Sequence, residues 1–266
     1  MSRIAARFSQ LKSAQRKALI PFVTAGDPSL EATVPVMHAL VAAGADVIEL
    51  GVPFSDPMAD GPVIQLSSEQ ALRRGAGLRY VLQAVAEFRR RDTDTPVVLM
   101  GYLNPIEIHG NQRFAEEAVK AGVDGVLLVD LPPEEAAETR EIFTRQGLDL
   151  IALASPTTTP DRMAMLCGTA QGYLYYVSFA GVTGAGHLDT RAAGERLHAL
   201  RTQANVPVVA GFGIKDAASA AAMAVEADGV VVGSALVAYL ADATTAEEAA
   251  SRAAAFLRPL RKALDG

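Results

Sequence analysis

Short runs of Val, Ile and Leu recur along the chain, each followed by a polar turn and then by a stretch with helical spacing of its apolar positions. The runs predict strands over 19–24 (LIPFVT), 46–51 (DVIELG), 96–101 (PVVLMG) and 124–129 (DGVLLV). Four more are predicted over 149–153 (DLIAL), 172–177 (GYLYYV), 206–211 (VPVVAG) and 228–232 (DGVVV). These segments are apolar throughout instead of alternating, which marks strands buried on both faces. Amphipathic stretches such as 29–43, 78–91, 111–121, 134–146, 190–202 and 215–226 lie between them.

Strands alternating with helices predict parallel pairing through right-handed crossovers, and eight such units close a (β/α)8 TIM barrel. The competing architecture is a doubly wound open sheet, which lacks support because no Gly-rich dinucleotide fingerprint follows the first strand. Two helical patterns exceed a minimal barrel. One covers 2–14, ahead of the first strand, where it can plug the barrel floor; the other covers 61–72, after the second strand. The chain shows no linker or low-complexity tract, so 1–266 is expected to form one domain.

Composition agrees with this picture. A length of 266 residues suits a single α/β barrel, and 50% hydrophobic against 20% charged residues excludes a disordered chain. Twenty-four basic and 30 acidic residues leave a net charge of −6. The one basic run, Arg89-Arg90-Arg91, ends a helical pattern, so nucleic acid is not an expected partner. The single cysteine, Cys167, fits a reducing cytoplasm. Neither a signal peptide nor a membrane span is expected.

Barrels of this kind carry their chemistry at the carboxyl ends of the strands. Glu49 stands out because it sits inside an apolar strand between Ile48 and Leu50, where an ionised carboxylate is costly. It is either a paired structural carboxylate or a general acid/base with a raised pKa. Asp60, eleven residues on in a Pro- and Gly-bounded loop, reads either as a helix cap before Val63 or as a second carboxylate over the barrel mouth. Gly-rich turns after strands six, seven and eight (Gly181 to Gly184, Gly211-Phe212-Gly213 and Gly233-Ser234) bare backbone amides where such barrels commonly hold phosphate. Phe22, Met100, Leu127, Val129, Leu153 and Phe212 are positioned to line an apolar pocket or simply to pack the barrel core. The four histidines show no ligand spacing, and none of the five lysines lies in a predicted strand, which speaks against a metal site and a Schiff base.

The run Ile48-Glu49-Leu50-Gly51-Val52-Pro53-Phe54-Ser55-Asp56-Pro57-Met58-Ala59-Asp60-Gly61 resembles the signature of the tryptophan synthase alpha chain family. Phe22 to Pro28, the Gly181–Gly184 turn and Gly211-Phe212-Gly213-Ile214 resemble its other landmarks in the same order. The resemblance implies retro-aldol cleavage of indole-3-glycerol phosphate to indole and glyceraldehyde 3-phosphate. It further implies that Glu49 protonates the indole ring at C3, that Asp60 holds the ring N–H, and that Tyr175 orients Glu49. Phe22, Met100 and Leu127 would sandwich the indole. Gly184, Gly213, Gly233 and Ser234 would bind phosphate, with Gly211 and Phe212 beside them, and Thr183 would close onto Asp60.

No cofactor is implied for this chain. A pyridoxal-phosphate beta chain is the implied partner, in an α2β2 tetramer, docked on the catalytic face with the loops 53–60 and 179–188 mobile without it. Phe179 departs from relatives with arginine there, which bears on how the sixth loop closes. Two alternatives are a free-standing lyase that releases indole and a non-catalytic phosphate-binding module. A retired site has no reason to keep a costly strand carboxylate, which disfavours the second.

Overall fold

The structure, a computed structural model, describes residues 2–177, 190–211 and 213–266, with the backbone alone over 190–196. In chain order the elements begin α1 (Arg3–Ser13), β1 (Ala18–Thr24), α2 (Thr33–Ala42), β2 (Ile48–Gly51), α3 (Pro62–Arg73), α4 (Leu78–Phe88) and β3 (Val97–Gly101). They continue α5 (Leu103–His109), α6 (Asn111–Ala121), β4 (Gly125–Leu128), α7 (Ala137–Gln146), β5 (Asp149–Ala154), α8 (Pro160–Thr169) and β6 (Leu174–Val177). The last are α9 (Thr190–Gln203), β7 (Val208–Gly211), α10 (Ala217–Ala224), β8 (Gly229–Val232), α11 (Ser234–Leu240) and α12 (Ala246–Asp265). The strands pair in parallel and in sequence order, and β8 pairs with β1 to close the barrel. The expected TIM barrel is thus the fold.

Strand alternation divides the apolar residues between two cores. Leu19, Leu50, Leu99, Val126, Leu150 and Val230 point outward and pack under the helices. Ile20, Val98, Leu127, Ile151, Tyr173 and Val209 point inward and fill the barrel. Both sets are apolar, which is why the sequence shows continuous runs with no alternation. The predicted floor plug is α1, whose Ile4, Phe8 and Leu11 join the inner core. Its Ser2 cap accepts a hydrogen bond from the Ala5 amide at 3.2 Å. The helix after strand two is α3, started by Pro62 at its first turn. Asp27 ties it down, accepting hydrogen bonds from Ser67 Oγ and Arg74 Nη1, each at 2.8 Å. No described helix is long and apolar enough to cross a membrane.

Several predicted strands start earlier than the ladders do. Asp46, Asp124 and Asp228 precede β2, β4 and β8, and their carboxylates accept the backbone N–H of Leu19, Val97 and Val208 on the strand before, at 2.8–2.9 Å. Gln171 does the same ahead of β6 for Leu150. A side-chain acceptor therefore joins β1 to β2, β3 to β4, β5 to β6 and β7 to β8 at the barrel's amino end. Each joined pair is a two-strand unit, repeated four times around the barrel. Asp124 also receives Arg3 and Arg89 at 2.8 Å, with Arg89 nearly buried. Removing its carboxylate would orphan both a strand amide and a buried guanidinium. Asp124→Ala is expected to lower unfolding free energy by about 3–5 kcal/mol in urea titrations. Cutting the exposed Glu141–Arg145 pair should change it by less than about 0.5 kcal/mol.

Candidate active site

Glu49 lies in the middle of β2, paired in register with Phe22 on β1 and Val98 on β3, and is fully buried. It projects into the barrel among apolar side chains. Tyr173, just before β6, donates its hydroxyl to Glu49 Oε1 at 2.6 Å. Glu49 Oε2 is buried and has no hydrogen-bond partner among the described residues. Burial drives the carboxyl pKa up to about 7, and the Tyr173 hydrogen bond offsets part of the rise. The group is therefore near the midpoint of its titration at neutral pH, with one oxygen held and the other unengaged. The structural alternative, a carboxylate paired with an arginine or a backbone amide, is not what surrounds it.

Asp60 ends the loop that leads from β2 to α3. Its capping alternative fails: Gly61 is the helix cap, and no side chain caps that helix. Instead Asp60 Oδ2 accepts a hydrogen bond from the Tyr102 hydroxyl at 3.0 Å, and the same Tyr102 oxygen accepts the Ala59 amide at 3.0 Å. Gln65 Nε2 donates to the Asp60 carbonyl at 2.8 Å. These bonds pin the end of a loop whose Gly and Pro content suggests freedom. Burial raises the Asp60 pKa, opposed by the Tyr102 hydrogen bond; burial, and after it the Asp60 charge, holds the Tyr102 phenol above its ordinary range.

Around these carboxylates the expected apolar residues converge. Phe22, Thr24, Gly51, Asp60, Met100 and Tyr102 line one narrow cavity of about 10 Å³, over which Ile64 of α3 closes. Met100 faces Leu127 across the β3–β4 pair, and both belong to the inner core. A planar ring entering here has to part Phe22 from Met100, and a methionine yields readily. Gly51 has to be glycine, because a Cβ there would come within 2.6 Å of the Phe22 ring. At Gly211 a Cβ would lie 2.0 Å from the Tyr175 hydroxyl. That glycine is needed for the phenol to rest against the β7 backbone.

Tyr175 requires a correction. The hydroxyl bonded to Glu49 belongs to Tyr173, two residues earlier on the same inward-facing register. Burial raises the Tyr175 pKa well above the ordinary value, and the Glu49 and Asp60 carboxylates add to the rise through space. Tyr173 lies within the predicted strand 172–177, and Tyr102 lies one residue past the predicted strand 96–101. An inward-facing tyrosine in an apolar strand needs a hydroxyl partner, and that was the available signal. Phe8 of α1 packs on Tyr173, ring centroids 5.9 Å apart, so the floor plug backs the phenol that holds Glu49.

At the proposed phosphate end, Gly211 is buried at the tip of β7 and Gly213 is exposed with φ +69°. Gly233 caps α11, and Ser234 is its exposed first residue. Thr183, Gly184 and Phe212, with Phe179 and the loop 179–188, lie outside the described residues. Among the described residues no three His, Cys, Asp or Glu side chains gather as metal ligands.

With this geometry in hand, comparison with known proteins is specific. Residues 8–265 match the family model of the tryptophan synthase alpha chain. A tryptophan synthase alpha chain of Xanthomonas euvesicatoria pv. vesicatoria (strain 85-10) is 77% identical over 266 residues, covering 100% of this chain and 99% of the relative. The crystal structure of tryptophan synthase subunit alpha from Legionella pneumophila str. Paris superposes with a TM-score of 0.93 at 47% identity, covering 100% and 99% of the two chains. A structure from Pyrococcus furiosus, described as showing the mutual activation of a tryptophan synthase a2b2 complex, gives a TM-score of 0.85 at 39% identity over 92% of this chain and 98% of that one. The chain belongs to the tryptophan synthase alpha chain family.

Proposed function

We propose that this chain cleaves indole-3-glycerol phosphate to indole and glyceraldehyde 3-phosphate by a retro-aldol reaction, with Glu49 as the acid/base and Asp60 as the electrostatic partner. The observation that carries the reading is the state of Glu49. It is fully buried, has a pKa of about 7, is held by Tyr173 through one oxygen and keeps the other unengaged.

Glu49 in its acid form gives its proton to indole C3, turning the ring into the cationic tautomer. Asp60 accepts the ring N–H hydrogen bond and stabilises the positive charge that develops there. The bond from C3 to the side chain then breaks, and its electron pair restores the indole. The adjacent side-chain hydroxyl loses its proton to Glu49 and becomes the aldehyde, so the acid form is regenerated. Tyr173 and Tyr102 set the directions of the two carboxylates, and Tyr175 adds to the pocket wall between them. Phe22, Met100 and Leu127 hold the ring. Gly184, Gly213, Gly233 and Ser234 are assigned to supplying backbone amides for the phosphate, and Thr183 to closing onto Asp60.

The phosphate assignment has its own expected outcome. Ser234→Ala should change KM by less than about threefold, since its backbone amide is what counts. Gly213→Leu should raise KM at least tenfold, both by filling the site and because φ +69° disfavours a side chain. Equal effects of the two substitutions on KM would remove the phosphate from this end of the barrel.

The working partner in this reading is a beta chain that carries pyridoxal phosphate and receives the indole, in an α2β2 assembly. The exposed Met58, on the loop after β2, and Ile108, on α5 after β3, offer apolar contacts on the catalytic face. The single cysteine, Cys167, agrees with a cytoplasmic setting. The test is indole formation from indole-3-glycerol phosphate as a beta chain is titrated in. Slow turnover alone and a rise of about 50-fold at saturation are expected, as for a closed state shifted from about 1% to about half. Full activity with no response to the beta chain would favour a free-standing lyase.

A further inference from the structure

A second cavity lies outside the barrel, between α7 and α8 and against the outer face of β4 and β5. Its volume is about 260 Å³, just below the usual range for drug-sized ligands and enough for a smaller molecule. Leu128, Leu150, Ala152 and Leu166 form an apolar floor. Above the floor stands Arg140, from the first turn of α7. Its Nε is buried without a hydrogen-bond partner, and its side chain makes no ion pair or hydrogen bond with any described residue. Burying a guanidinium nitrogen without an acceptor is costly.

The other charged groups of the cleft are already engaged. Arg162 of α8 forms a two-point pair with Glu134 across the rim, at 2.8 and 2.7 Å. The Asp130 carboxylate accepts the Leu103 amide at 2.8 Å. The Ser155 and Thr158 hydroxyls are hydrogen-bonded to each other and to their own turn. Arg140 is therefore the one guanidinium of the cleft with an open valence, and it looks onto an apolar floor.

We propose that this cleft binds a small monocarboxylate with a compact apolar or aromatic body. The carboxylate would take the planar fork of Arg140, and the body would cover Leu150, Ala152 and Leu166. One free guanidinium balances one negative charge. A phosphate dianion would be undercompensated beside Asp130 and Glu134, and a neutral aromatic would leave Arg140 unpaired. Val129 lines both this cleft and the candidate active site, so the two sites share a wall. The proposal does not depend on the reaction assigned to the barrel.

Calorimetric titration of the full-length chain with benzoate tests it. Saturable binding is expected, at least tenfold weaker in Arg140→Gln. A loss of the same size is expected in Ala152→Met, which fills the floor and leaves Arg140 intact. Glu49→Gln should bind benzoate as the parent does, and neither benzyl alcohol nor inorganic phosphate should displace it. The proposal is overturned by absence of saturable binding, by undiminished binding in both cleft variants, or by displacement of benzoate with glycerol 3-phosphate, which would put it in the barrel.

Discussion

Glu49→Gln is expected to lose turnover by a factor of about 10²–10⁴, the range a positioned acid/base contributes. Its affinity for a substrate analogue should stay within a few-fold. The amide keeps the shape and can still accept from Tyr173, but it cannot pass a proton to carbon, so the loss falls on kcat. Near-normal turnover would remove Glu49 from the chemistry. The same variant gives an independent readout in stability. The folded-state pKa, about 7, lies above the ordinary carboxyl value of 4.5, so the folded chain binds the extra proton between those limits. Stability from this group is full below about pH 4.5 and is lost as pH rises to about 7. Glutamine does not titrate, so the variant should gain on the parent through that window by about 3 kcal/mol. Urea midpoints measured at pH 5 and pH 8 would show it. For activity, kcat/KM should fall as pH rises through about 7, because the acid form begins the reaction.

Asp60→Asn is expected to cost about 10²–10³ in kcat, the usual effect of removing a group aimed at developing charge. The amide still packs against Tyr102 but brings no negative charge to the ring nitrogen as it becomes cationic. Stability should move by less than about 1–2 kcal/mol, because a neutral amide suits a half-buried position. An unaffected rate would return Asp60 to a role in shaping the loop. Tyr102→Phe discriminates further: it keeps the carboxylate and removes the hydroxyl that aims it, so a loss smaller than that of Asp60→Asn is expected.

The residues that carry the proposed chemistry were legible in unequal measure. Glu49 was conspicuous because a carboxylate among Ile48, Leu50 and Val47 breaks the local pattern, and a burial cost of that size needs a reason. Asp60 was ambiguous, since Asp before a helix is most often a cap; the structure hands that position to Gly61 and leaves the carboxylate facing Tyr102. The tyrosines were harder. Tyr173 is 124 positions from Glu49, and Tyr102 is 42 from Asp60. No local periodicity records such a distance.

What the sequence determined by itself is therefore the rhythm and its consequence. Continuous apolar runs alternating with amphipathic ones require strands buried on both faces between helices, and that requirement leads to a parallel barrel with its reactive ends on one side. The short α5 and the long α12 were outside that reading, because each is a second helix in its unit: α5 is inserted between β3 and α6, and α12 follows α11 instead of a strand. What only the tertiary structure decided is register and partnership. Closure of β8 on β1 sets the stagger of all the strands, and the stagger chooses which inward side chains share a level. It puts Tyr173, and not Tyr175, on Glu49, and it joins Asp46, Asp124, Gln171 and Asp228 to neighbouring strands in a fourfold pattern. These are bonds between residues far apart in the chain, and their geometry exists only once the loop entropy of closing the barrel has been overcome.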